Sequence, residues 1–206
     1  MVANELGKKI KPISLDLSNV NSIKELEKIL KKEKPNIKFL INNAGYAKFC
    51  SYCDLSIEDS LNMIDLNIKA VVGIGLTCIP YMKPYSHIIN IASQASFFPL
   101  PYQNIYSSTK VFVKNYTRAL NVELKDKNIS ATAVCPGWMQ TDLYVRGNVE
   151  AKKKTTVFSH MKQPNKVAAK ALVDAIKNKD FSTYGAFVRF THLFSRMFSE
   201  KAIMKM

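Results

Sequence analysis

The sequence predicts an α/β protein built on a doubly wound (Rossmann-like), mostly parallel sheet, because short apolar runs alternate with longer segments of helical periodicity. Three of the four strand-like runs are almost continuously apolar, as expected for strands covered on both faces. The predicted strands are residues 11–15 (KPISL), 37–42 (IKFLIN), 87–93 (HIINIAS) and 129–135 (ISATAVC). A chain of 206 residues, 47% of them hydrophobic and 22% charged, is expected to form one domain over residues 1–206.

Four helices are predicted around these strands. Residues 21–32 carry apolar side chains at helical spacing, and residues 105–125 and 166–177 each carry one apolar stripe. Ser56 with an acid three residues later, Asp59, indicates a helix start, and about 25 residues of helix can follow it. The order of elements therefore repeats strand and helix along the chain.

Two C-terminal regions have separate expectations. Residues 142–165 lack clear periodicity and are predicted to form a mobile substrate loop. Residues 187–206 begin with FVRFTHLFSRMF, an amphipathic pattern with two arginines that fits two interpretations. The pattern favours a helix that covers the substrate pocket or a subunit interface, and the alternative for this C-terminal extension is peripheral membrane contact.

The charge balance is strongly basic, with 30 Lys and Arg against 16 Asp and Glu and a net charge of +14. Such a charge suits nucleic acid or an anionic membrane. The lysines are scattered, however, and no basic stripe with interleaved aromatic residues is present, so we expect no nucleic-acid partner.

Metal binding and export are not expected either. Cys50 and Cys53 form a CxxC pair, but no second pair completes a zinc site, and the three histidines lack ligand spacing. The first ten residues contain no apolar signal segment. We therefore expect no metal and a cytoplasmic location with reduced thiols.

Polar or turn-forming residues follow each predicted strand. Asp16 follows the first strand, residues 42–45 (NNAG) the second, Ser93 ends the third, and Pro136 with Gly137 follows the fourth. Because ligands bind beyond the carboxyl ends of parallel strands, these positions predict one ligand site.

An ordered series of motifs runs through the same positions. It consists of NNAG (42–45), Asn67 in DLNIKA, Ser93 in NIAS, Tyr106 and Lys110 in YSSTK, and CPG (135–137) followed by Thr141. The series resembles that of the short-chain dehydrogenase/reductase family over nearly the whole chain.

The resemblance implies an oxidoreductase that transfers a hydride between NAD or NADP and a hydroxyl or carbonyl group. Tyr106 would be the general acid–base, and Ser93 would hydrogen-bond the substrate oxygen. Lys110 would also bind the nicotinamide ribose, and Asn67 would hold a water that relays protons to Lys110. The family further implies a homodimer or homotetramer.

The cofactor-binding positions implied by the resemblance are, besides Tyr106 and Lys110, Asp16, Asn43, Ala44, Gly45, Pro136, Gly137 and Thr141. Asp16 would accept from the adenine amino group. Its alternative is an N-cap-like acid before the helix at 21–32. Asn42 and Asn43 have an alternative too, namely tying neighbouring strands together.

The spacing of Tyr106 and Lys110 suggests how the proton moves. Four residues are one helical turn, so the two side chains share a face, although a solvated face with a packed tyrosine stem has the same spacing. An ammonium about 5 Å from a phenol, at an effective dielectric of about 20, favours the phenolate by roughly 3 kcal/mol. We therefore expect Lys110 to lower the pKa of Tyr106.

One family motif is absent, the N-terminal TGxxxGxG turn that cradles the pyrophosphate. Only Gly7 precedes Gly45, and Gly73 with Gly75 lies inside a predicted helix, where small residues serve close packing. We expect an N-terminally truncated fold, a sheet with a gap between strands 11–15 and 37–42, and poor dinucleotide binding. The alternative function is a non-catalytic relic or binding module.

Apolar residues near the predicted site suggest the substrate. They are Phe97, Phe98, Pro99, Leu100 and Pro101 before Tyr106, and Trp138 and Met139 after Gly137. An apolar pocket with a few polar groups suits a hydrophobic alcohol or ketone, although core packing is the alternative for some of these residues.

Overall fold

Four parallel strands form one sheet in the computed structural model, which describes residues 10–147 and 161–204. The strands lie in the order β1 (Ile37–Asn42), β2 (Met82–Ile91), β3 (Ser130–Val134) and β4 (Phe181–Ser182). Their register is regular over most of the sheet, with Ile89 beside Ile41 on one side and Thr132 on the other. The parallel sheet confirms the predicted fold class.

Eight α-helices surround this sheet in the described part of the chain. They are α1 (Val20–Glu33), α2 (Ile57–Ile64), α3 (Ala70–Cys78), α4 (Asn104–Glu123), α5 (Asp142–Gly147), α6 (Pro164–Ile176), α7 (Ala186–Met197) and α8 (Glu200–Ile203). The predicted helices at 21–32, 105–125 and 166–177 are confirmed as α1, α4 and α6.

The sheet is covered on both faces. Ile88 packs with Leu120 of α4, whereas the next residue, Ile89, packs with Ala171 and Ala175 of α6. Successive residues of a strand point to opposite faces, so α4 and α6 lie on opposite sides of the sheet. This arrangement is the doubly wound α/β fold that the sequence predicts.

The helix that starts at Ser56 is continuous over residues 57–81, as predicted, but irregular inside. The Ser56 hydroxyl accepts a hydrogen bond from the Asp59 amide at 3.0 Å. A π-helical turn, Asp65–Lys69, separates α2 from α3, and a 3₁₀ turn, Ile79–Tyr81, ends the stretch. Among the described residues, this helix alone has the length and apolar composition needed to cross a membrane. Its α3 part packs on α1, β1 and β2, as a sheet-covering helix does.

Two expectations at the N-terminal side are wrong. Residues 11–15 are not a strand, and α1 follows them after a turn at 17–18. Residues 10–14 are exposed, so this segment buries no apolar side chains that would hold it against the sheet. The sheet consequently has no internal gap in the described residues. It ends at β1, where Phe39 and Ile41 are 37% and 51% exposed.

The sequence did not predict β4, because two residues carry no periodic pattern. The strand is held by the buried carboxylate of Asp174 on α6, which accepts from the Ser182 hydroxyl at 2.7 Å and pairs with Lys170 and Lys179. Burial alone raises the pKa of Asp174, but these hydrogen bonds outweigh it and lower the pKa to about 2.

Gly73 confirms that the small residues of α3 serve close helix packing. A Cβ at Gly73 would lie 2.4 Å from Cδ1 of Ile23 on α1, whereas a Cβ at Gly75 would meet only the Tyr116 hydroxyl, at 3.6 Å. Gly73 therefore sets the distance between α1 and α3.

We expect Gly73→Ala and Gly75→Ala to have opposite effects on stability. Gly73→Ala forces Ile23 aside at a cost of about 1–3 kcal/mol, and after the gain of about 1 kcal/mol in helix propensity the free energy of unfolding should fall by up to about 2 kcal/mol. Gly75→Ala only gains helix propensity and should raise the free energy of unfolding by up to about 1 kcal/mol. Urea denaturation of both variants measures the difference. Equal effects of the two substitutions would show that α1 does not pack on α3 in this way.

Candidate active site

Tyr106 and Lys110 lie one turn apart on α4 and are both buried, with 7% and 5% of their surfaces exposed. The Lys110 ammonium lies 5.8 Å from the centre of the Tyr106 ring and donates to the carbonyl oxygen of Ile91 at 2.8 Å. The alternative of a solvated helix face is therefore wrong, because both side chains face the end of β2.

Ser93 follows β2 by two residues, in extended backbone. Its hydroxyl accepts from the Ala95 amide at 3.1 Å, and its carbonyl oxygen accepts from the Ser96 hydroxyl at 2.6 Å. These bonds start a 3₁₀ turn, Gln94–Ser96, and fix the Ser93 side chain at the end of the sheet.

One cavity of about 410 Å³ collects most of the predicted site residues. Its walls come from the segments after β1, β2 and β3 and from α4 and α5, which matches the expected position beyond the carboxyl ends of the strands. The predicted residues that line it are Asn43, Gly45, Ser93, Tyr106, Lys110, Pro136, Gly137 and Thr141.

The expected effect of Lys110 on Tyr106 is not found. Burial raises the pKa of Tyr106 above its ordinary value, and the hydrogen bond with Ser93 lowers it by less. Burial also lowers the pKa of Lys110, to about 8. The physical reason is that both groups lose their hydration, while the ammonium bonds to the Ile91 carbonyl. At neutral pH the phenol therefore keeps its proton.

Asn67 lies in the π-helical turn, fully buried behind the cavity wall. Its side-chain oxygen accepts from the Tyr46 amide at 3.1 Å, and its amide group donates to the Tyr46 carbonyl and the Thr109 hydroxyl. A Cβ at Gly45 would lie 2.8 Å from the Asn67 oxygen, so this position requires glycine. Asn67 thus ties the segment after β1 to α4, and its role in proton relay stays a prediction.

Asp16 and Ala44 are exposed and do not belong to the cavity wall. The Asp16 carboxylate accepts from the amide and the hydroxyl of Ser18, which lowers its pKa and shapes the turn before α1. Asn19, not Asp16, caps α1. Contact of Asp16 with adenine therefore stays a prediction.

Asn42 ties neighbouring strands together, which is its alternative interpretation. Its side-chain amide donates to the side-chain oxygen of Asn90 at 2.8 Å and joins β1 to β2. Asn43, by contrast, is exposed and lines the cavity.

The sequence missed an aromatic wall of the cavity. Phe49 makes edge-to-face contacts with Tyr106, at 5.9 Å, and with Trp138, at 5.8 Å, and Trp138 makes a similar contact with Tyr144. Phe49 is 57 positions from Tyr106 and belongs to no motif, so no sequence signal marks it.

Helix α5 completes this wall and corrects the predicted loop at 142–165. Residues 142–147 are helical, residues 148–160 lie outside the described part, and α6 begins at Pro164. The Phe49 amide donates to the Gly147 carbonyl at 2.8 Å, which holds the end of α5 against the site.

The predicted apolar residues divide between the cavity and the core. Leu100, Trp138 and Met139 line the cavity. Phe97 is buried in a core cluster, and Phe98 packs against that cluster. Core packing, the alternative interpretation, is therefore correct for Phe97.

The family of this chain follows from comparison with known sequences. The pattern of the short chain dehydrogenase family matches residues 1–152, nearly three quarters of the chain. The chain belongs to this family. An uncharacterized oxidoreductase of Staphylococcus aureus (strain N315) is 31% identical over 156 residues, which are 74% of this chain and 68% of that protein.

Solved structures of this dehydrogenase family share the fold. A short-chain dehydrogenase from Sphingobium yanoikuyae in complex with NADPH is 23% identical, with a TM-score of 0.78 over 99% of this chain and 78% of that one. A Burkholderia phymatum member in complex with NAD is 19% identical, with a TM-score of 0.78 over 93% of this chain and 77% of that one.

Proposed function

We propose that this chain carries the proton-transfer site of an NAD(P)-dependent dehydrogenase that acts on the carbonyl or hydroxyl group of an apolar substrate. The observation that carries the proposal is the cavity shared by Ser93, Tyr106 and Lys110. Family membership supports the oxidoreductase class.

Tyr106 acts as the proton donor. Because its phenol is protonated at neutral pH, it can give a proton to a carbonyl oxygen on which negative charge develops. Ser93, fixed by its bonds to Ala95 and Ser96, orients the same oxygen.

Lys110 supports the site as a cation. With a pKa of about 8 it is mostly protonated at neutral pH. One of its three N–H groups bonds to Ile91, which leaves two for the oxygens of a bound molecule.

The cavity fits the nicotinamide end of a dinucleotide. Gly45 presents backbone at a position where a Cβ would strike Asn67, and Lys110 and Thr141 supply donors nearby. When bound, the nicotinamide supplies or accepts the hydride. The pyrophosphate end lacks its glycine-rich turn in this sequence.

The substrate is expected to be an apolar ketone or alcohol. Phe49, Leu100, Trp138 and Tyr144 give the cavity an apolar wall opposite a few polar groups, which is the usual composition of a small-molecule site. We also propose a cytoplasmic homodimer or homotetramer, which the exposed Leu61, Leu76 and Phe112 on the sheet-covering helices support.

A non-catalytic binding module is the second candidate, and the missing glycine-rich turn favours it. We expect the 206-residue chain to bind NADH and NADPH with dissociation constants above about 1 mM, because the sequence has no TGxxxGxG motif to present backbone N–H groups to the pyrophosphate. Fluorescence titration of the purified chain measures this. Micromolar binding would contradict the expectation.

The enzyme proposal is tested on a version extended at its N-terminus by about 50 designed residues that supply a first strand ending in a glycine-rich turn. We expect it to oxidise NADH or NADPH in the presence of apolar ketones. Dinucleotide binding by the extended version without turnover of any ketone or alcohol would favour the binding module.

A further inference from the structure

Helix α7 has two apolar faces. On the inner face, Val188 is 3% exposed and joins a core cluster, and the His192 ring packs on Phe97 and Phe181 at 4.8 and 4.7 Å. These contacts already bury one side of the helix. A surface helix of a soluble protein needs only one such side.

The opposite side, which we call the outer α7 face, is apolar and exposed. It consists of Phe187, Phe190, Leu193 and Met197 with Phe198 just beyond the helix, and their exposed fractions are 41%, 61%, 58%, 69% and 47%. Phe194 bridges Phe190 and Phe198, with ring centres 5.9 and 4.3 Å apart. A contiguous patch of this kind indicates an interaction surface.

The charge around the outer α7 face indicates its occupant. Arg189 and Arg196 are exposed and lie on one flank of the face. Residues 186–197 contain no Asp or Glu, and the chain carries a net charge of +14. If the α7 faces of two copies packed on each other, arginines would meet arginines, and this helix supplies no carboxylate to pair with them. Anionic headgroups match both the arginines and the aromatic residues.

We propose that the outer α7 face docks peripherally on an anionic lipid bilayer. Phe190, Leu193 and Met197 enter the boundary between headgroups and acyl chains, while Arg189 and Arg196 contact lipid phosphates and carboxylates. The inner face stays packed on the domain through Val188, so docking needs no rearrangement of the core.

Cosedimentation of the 206-residue chain with vesicles tests this docking. We expect binding to vesicles of phosphatidylcholine with 30% phosphatidylserine, at least about tenfold weaker binding to pure phosphatidylcholine, and weakening by salt. Phe190→Ser with Leu193→Ser should weaken binding about tenfold or more. The matched control, Val122→Ser with Ile176→Ser, removes two side chains that are 60% and 58% exposed and should leave binding unchanged.

A second pair of variants separates the effect on vesicle binding of the charge on α7 from that of the overall charge. Arg189→Gln with Arg196→Gln should weaken binding about tenfold, whereas Lys24→Gln with Lys28→Gln removes the same charge from α1, which packs on α3, and should have little effect. Equal loss in the two pairs would contradict docking through α7. Absence of vesicle binding, together with a dimer that Phe190→Ser with Leu193→Ser converts to a monomer, would show that the face joins two copies and would overturn the proposal.

Discussion

Replacing Tyr106 with phenylalanine is expected to lower ketone reduction by the upstream-extended version about 10²- to 10⁴-fold, the usual contribution of a positioned general acid. The ring still fills its place beside Phe49, so packing is kept and only the proton donor is lost. Steady-state rates and the free energy of unfolding should therefore separate, with a large loss in kcat and little change in stability.

Tyr116 provides the matched control for this substitution. It lies on the same helix, its hydroxyl is buried without a hydrogen-bond partner among the described residues, and its ring stacks on Phe112. Tyr116→Phe removes an unsatisfied group and should leave kcat unchanged while stabilising the fold slightly. Similar rate losses in both variants would show that Tyr106 acts through structure and not through its proton.

Lys110→Met is expected to abolish activity and to stabilise the protein at neutral pH. The pKa of Lys110 is about 8 in the folded protein and near 10.5 without burial, so the unfolded chain holds the proton more tightly. Burying the charge therefore lowers the free energy of unfolding of the wild type by up to about 3 kcal/mol below pH 8. Lys110→Met removes this cost but also loses the hydrogen bond to Ile91, which contributes about 1–2 kcal/mol, so the net stabilisation is the difference.

The difference in the pKa of Lys110 between the folded and unfolded states also determines how stability depends on pH. The contribution of Lys110 to wild-type stability becomes more favourable as pH rises from about 8 to 10.5, because the unfolded state binds more protons in that window. Urea denaturation should show Lys110→Met more stable than the wild type at pH 7, with the difference shrinking toward pH 10. A destabilised variant with no pH dependence would contradict the assigned burial of the charge.

Regular elements were the part of the fold that could be predicted from the sequence. Strands β1, β2 and β3 and helices α1, α4 and α6 each carry an apolar run or stripe that is visible in the local sequence, although β1 leaves Phe39 and Ile41 exposed. The two-residue strand β4 and helix α5 depend on partners distant in sequence, such as Ala133 with Phe181 and Phe49 with Gly147. Residues 11–15 have a strand-like composition, but residues 11–14 are exposed and pair with no strand.

The candidate site also has a part that the sequence predicts and a part that it does not. Motif spacing located Ser93, Tyr106, Lys110 and Gly137 on one cavity, because strand ends converge in a parallel sheet. Spacing along α4 could not show that the Lys110 ammonium turns to the Ile91 carbonyl, and it gave the wrong direction for the pKa of Tyr106. Burial is a tertiary property, and here it has the largest effect on the pKa of Tyr106.

A double-mutant cycle on Ser93→Ala and Tyr106→Phe tests most directly whether the two hydroxyls act on one substrate oxygen. The effects of groups that act as a unit on the rate are not additive. The double variant of the extended protein should therefore reduce ketones at a rate within about threefold of the slower single variant. If the two rate losses multiply in full, the residues act independently and the shared proton-transfer site is contradicted.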